Sequence, residues 1–132
     1  MVDSTRYDDW LDKAARDIRA ARILKEHNGG NELVAFHSQQ SIEKSFKAYI
    51  IAKSGVIISS HSLIFLCKEA SKYLPDFSSY LKDCAFVNQF YIETRYPAND
   101  PMVVTDEESD ECIQIAERIL DRVTQELIFR DE

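Results

Sequence analysis

The chain has 132 residues, enough for one domain spanning 1–132 with a core that needs no disulfide or metal staple. Hydrophobic residues at 45% and charged residues at 30% exclude a disordered or fibrous chain, and three Gly with three Pro are too few for the turns of an all-β fold. Sixteen basic against twenty-three acidic residues give a formal charge of -7, which excludes an overall field toward phosphate backbones and confines any nucleic-acid contact to a local patch.

Asp3 and Ser4 are N-cap types ahead of a first helix whose Tyr7, Leu11, Ala14, Ile18 and Ala21 recur at spacings of three and four. That helix is expected to stop at Asn28-Gly29-Gly30, where glycine takes the left-handed conformation. A second helix, from Asn31 to about Lys53, spreads Leu33, Phe36, Ile42, Phe46, Tyr49, Ile50 and Ile51 over more than one face, so it should be central. Gly55 and the residues after it connect to a short third helix behind Ser60 or His61, carrying Leu63, Leu66, Cys67, Ala70 and Leu74 and closed by Pro75. Asp76 or Phe77 should open a fourth helix through Tyr80, Leu81, Cys84, Val87, Phe90 and Tyr91 into Arg95-Tyr96-Pro97. Pro97 and Pro101 force a loop. Thr105 and Glu108 then form a capping box for a last helix with Cys112, Ala116, Ile119, Val123 and Leu127 inward. The expected architecture is all-α: an up-and-down four-helix bundle with an additional short helix.

The second helix carries the most informative pattern. Gln40, Glu43 and Lys47 lie at i, i+3 and i+7 and emerge along one face of a helix that should be central. Buried polar groups need partners. A ladder from Glu43 to Lys47 within the helix satisfies that demand, and so does a ligand. Arg95 invites the same two readings: it can cap the fourth helix, or grip a phosphate while Tyr91 or Tyr96 stacks on a base.

Other signals read as structural. Cys67, Cys84 and Cys112 sit among apolar residues and fit reduced core thiols. His37 fits a satisfied core or interface residue, His61 a local capping role, and His27 a contact with the helix dipole. No His pair has metal-ligand spacing, so neither a metal nor another cofactor is expected. No apolar segment resembles a signal peptide and no run reaches the roughly 18 apolar residues that span a bilayer, so a cytoplasmic protein without membrane contact is expected.

Taken together, these elements resemble the HEPN family of small helical domains. Prokaryotic members carry a second helix reading Gln-Gln-Ala-x-Glu-Lys-x-x-Lys-Ala, and Gln39, Gln40, Glu43, Lys44, Lys47 and Ala48 stand in those places. Trp10, Ala14, Asp17, Ala21 and Leu24 look like the family's first helix, and His61 with Leu63 like its His-x-Leu element. The resemblance runs from about residue 7 to 127. It implies a bundle that often dimerises and that is often paired with a minimal nucleotidyltransferase as a toxin–antitoxin system. Many members are metal-independent ribonucleases marked by an Arg, about four to six residues, and a His. Arg95 matches the Arg, but no His follows His61 anywhere in the chain. A general acid/base is therefore missing from its expected place, and no catalytic residue is assigned.

The leading expectation is a non-catalytic, homodimeric HEPN-type bundle that binds a nucleotide or RNA in a groove lined by Gln40, Glu43, Lys47, Arg95 and Tyr96 and acts with a nucleotidyltransferase. The alternatives are a divergent ribonuclease using Arg95 with His37, His61 or an acidic residue, and an interaction module whose polar stripe is a buried network.

Overall fold

The computed structural model describes residues 2–93 and 97–129. Arg95 and Tyr96, the two groove residues expected after the fourth helix, lie outside the described residues. The described residues form helices and turns, with no strand.

Helix α1 spans Tyr7–Glu26. It begins later than its sequence suggests, with Arg6 in extended backbone at the N-cap and no side-chain cap. Ser4 instead accepts from the Arg6 N–H at 3.0 Å and donates to Asp9 at 2.6 Å, while the Trp10 indole donates to the Ser4 carbonyl at 2.8 Å. The entry segment is thus tied to side chains of the first turn of α1. At the other end the left-handed residue is Asn28 (φ 53), not Gly29. Gly29 and Asn28 donate to the carbonyls of Leu24 and Lys25, the paired bonds of a Schellman motif, and Asn tolerates that conformation through its short polar side chain. At Gly29 a Cβ would lie 2.5 Å from the end of the Leu24 side chain, which would have to shift to admit it.

Helix α2, Asn31–Ser54, ends on Gly55 in the left-handed conformation (φ 74). It packs against every other α-helix, so apolar and small polar residues alternate around its circumference. Ala35, Ser38, Ser41 and Ser45 are buried. Ser38 and Ser45 return their hydroxyls to carbonyls four residues back, and Ser41 reaches across to the Ala14 carbonyl of α1 at 2.9 Å. Small side chains let α1 and α2 approach closely while each hydroxyl keeps an acceptor.

Helix α3, Leu63–Ser71, is capped by Ser62, whose hydroxyl accepts from the Phe65 N–H at 3.2 Å. The cap is therefore neither Ser60 nor His61. The Leu63 N–H donates to Asn88 of the next long helix at 3.0 Å, fixing where α3 starts. Pro75 does not close α3; it opens a 3-10 turn, Pro75–Tyr80, that precedes α4, Leu81–Glu93. This tighter turn swings Phe77 into the core, where its ring meets Phe46 at 5.8 Å and Tyr49 at 4.8 Å, both edge-on.

Helix α5, Asp106–Thr124, begins with the expected capping box and passes into a π-helical turn, Gln125–Phe129. Its start is bound to the α1–α2 turn: Asn31 donates to the Val104 carbonyl at 3.0 Å and to Asp106 at 2.9 Å, and Lys25 donates to Ser109 at 2.6 Å. The architecture is the four-helix bundle with an additional short helix, all-α as expected. Cys67, Cys84 and Cys112 are free and fully buried. Burial, with Glu111 and Glu108 nearby, pushes the Cys112 thiol up to about 12. Replacing Thr105 by Ala removes half of the capping box and should lower stability by about 1 kcal/mol, read as a lower urea midpoint at unchanged slope, while Thr105→Ser should retain the parent midpoint.

Candidate functional site

The polar residues of α2 converge on Glu43. Its carboxylate is 5% exposed, and three groups reach it: Lys47 Nζ at 3.0 Å, His61 Nδ1 at 3.1 Å and 3.3 Å from its two oxygens, and Gln39 Nε2 at 3.4 Å. Lys47 follows Glu43 by one turn, the favourable order for an i to i+4 pair. Its side chain is 7% exposed, and its ammonium also lies over the Trp10 ring of α1 at 5.7 Å. Gln39 donates as well to the His61 carbonyl at 3.0 Å, and Gln40 donates to the Gln39 side-chain oxygen at 2.7 Å. No buried side-chain polar atom among the described residues lacks a partner.

His61 differs from the rest of the cluster, since its side chain is 65% exposed. A carboxylate only accepts, so the contact requires the proton on Nδ1. One face of the imidazole stacks on Tyr91 of α4, with centroids 5.8 Å apart and planes at 27°. Tyr91 in turn stacks with Phe36 of α2 at 6.5 Å and 11°.

A second charged cluster joins α1 to α2. Asp17 of α1 accepts from His37 at 3.0 Å and Lys44 at 2.6 Å. Burial by itself raises the Asp17 pKa, but the hydrogen bonds from His37 and Lys44 and the Lys44 charge outweigh it and hold the carboxyl below its ordinary value.

The fold thus brings Gln40, Glu43 and Lys47 together, with Glu43 and Lys47 buried against each other and Gln40 half-buried. Sequence reasoning missed His61 as their outward-facing member. The signal available was the His61-x-Leu63 element just beyond α2, but only the folded chain shows that a residue 18 positions away meets Glu43. Asp17, His37 and Lys44 form a cluster that their positions along the chain do not announce. No group of three or more potential metal ligands occurs among the described residues, and none of the described helices is long and apolar enough to cross a membrane.

The HEPN domain profile matches residues 7–127, nearly the whole bundle. The chain belongs to the HEPN family. It is 25% identical over 126 residues to a protein of Methanocaldococcus jannaschii named "Putative toxin MJ1304", covering 85% of this chain and 82% of that one. Among solved structures, TT1696 from Thermus thermophilus superposes with a TM-score of 0.78 at 25% identity, covering 94% of this chain and 100% of that one. ST0689, an archaeal HEPN homologue, superposes at 0.71 with 32% identity, covering 92% and 97%. In this HEPN chain the quoted second-helix pattern is the wall from which the Glu43 cluster is built.

Two outcomes test the electrostatics. Lys47→Met leaves the Glu43 carboxylate buried without its cation and should destabilise more than the double variant Glu43→Gln/Lys47→Met, with a coupling of roughly 0.5–3 kcal/mol in a denaturation cycle. Because the folded-state pKa of Asp17 is lowered, its contribution to stability is complete above about pH 4 and is lost as pH falls toward that lowered value. Asp17→Asn should therefore flatten the acid limb of a stability-versus-pH curve while costing stability near neutrality.

Proposed function

We propose that this HEPN bundle is a non-catalytic binding module that takes a nucleotide or an RNA in a groove lined by Gln40, Arg95 and Tyr96, with the buried pair Glu43 and Lys47 behind it as its base. In this reading it works in the cytoplasm as a homodimer beside a minimal nucleotidyltransferase, as one half of a toxin–antitoxin pair. The observation that carries the reading is the Glu43 cluster: a buried carboxylate and ammonium holding an exposed His61 against the aromatic side of α4, four residues before Arg95 in the chain. Fully satisfied inner groups give such a site a rigid base, and Arg is the side chain whose bidentate donors suit phosphate recognition. The archaeal relative named as a candidate toxin supports the toxin–antitoxin context.

A second reading rests on one specific contact. Glu43 contacts His61 at Nδ1 while the His61 side chain stays largely exposed, the arrangement by which a carboxylate positions an imidazole for general acid/base work. His61 then replaces the His missing after Arg95, and the protein is a metal-independent ribonuclease.

One set of measurements separates the two. The binding reading predicts saturable RNA binding by calorimetry, weakened about tenfold or more in Arg95→Ala, with RNA left intact in chelator. Cleavage of RNA in chelator, abolished by His61→Ala, would establish the enzyme instead.

A further inference from the structure

We propose that the outer face of the His61 imidazole is a stacking platform for a nucleobase, a purine ring above all. The proposal rests on the nucleotide-binding reading and assigns the base to a place that the groove residues do not cover. Tyr91 contacts the rings of both Phe36 and His61, at centroid distances of 6.5 Å and 5.8 Å and interplanar angles of 11° and 27°. Tyr91 is backed by Phe36, which stands on the central helix and also meets the His37 ring edge-on at 5.3 Å. His61 has Tyr91 beside its ring and Glu43 at Nδ1, and its side chain is still 65% exposed.

The ring is held in place by more than stacking. Nδ1 lies 3.1 Å and 3.3 Å from the two Glu43 oxygens, so turning the imidazole away from Tyr91 would break its bonds to a buried carboxylate. The His61 carbonyl is held as well, by Gln39 at 3.0 Å. A flat, fixed, solvent-facing ring already packed on Tyr91 offers a further ring an offset-stacked contact at little ordering cost. Bases stack on such surfaces regardless of identity, with the larger purines covering more of the ring.

The test compares adenosine monophosphate with ribose 5-phosphate, which carries the same phosphate and sugar without the base, by calorimetry on the full chain. His61→Ala and His61→Phe both lose the bond to Glu43, but only the first loses the ring. Adenosine monophosphate binding should fall about tenfold in His61→Ala and stay within about threefold of the parent in His61→Phe, while ribose 5-phosphate binding is the same in all three. Equal adenosine monophosphate binding by parent and His61→Ala, with Arg95→Ala still weakening it, would overturn the platform and leave the groove standing. Failure of the parent to bind either compound would overturn both.

Discussion

The carboxylate of Glu43 is the constraint that ties α2 to the start of α1 and to the connection that leads into α3. It sits on a helix packed by neighbours on all sides, at 5% exposure, where an unpaired charge would cost several kcal/mol. Each group that meets its need does so by fixing another element. Lys47 satisfies it from the next turn and presses against Trp10, which in turn pins the segment leading into α1. His61 satisfies it from the connection after α2, which sets where that connection lies and places Ser62 to cap α3. Gln39 closes the circuit between the carboxylate and the His61 backbone.

The same central helix solves its packing problem with small residues. Ser38, Ser41 and Ser45 are fully buried, yet each hydroxyl has a carbonyl acceptor, two within α2 and one on α1. Polar side chains of this size bring the α1 backbone close without leaving an unsatisfied donor. Asp17 adds charge to that seam, gripping His37 and Lys44 on α2. One helix therefore serves as core for its neighbours on most of its surface and as the wall of a polar cluster on the rest. That double duty explains why its hydrophobic residues show no single stripe.

Much of the fold was legible before any coordinates. Periodic stripes located the helices, and the Thr105 and Glu108 capping box marked the start of α5 to the residue, because capping is a contact between groups three positions apart. Boundaries that depend on distant groups were misplaced. The α3 start follows from Asn88 on α4, and the 3-10 turn at Pro75–Tyr80 follows from the demand of the Phe46 and Tyr49 rings for Phe77. Likewise the left-handed residue at the end of α1 is Asn28 rather than a glycine, set by the bonds from Asn28 and Gly29 back to Lys25 and Leu24.

The candidate site divides along the same line. The sequence by itself determined the all-α class, the HEPN pattern on the second helix and the one-turn pairing of Glu43 with Lys47, since helical periodicity and i to i+4 contacts are local. Only the tertiary structure decided that these two charges face inward, that His61 carries their cluster to the surface, and that Tyr91 and Phe36 stack behind it. Burial and ring contact depend on which elements the chain brings together across tens of residues, and no spacing along the sequence encodes that distance.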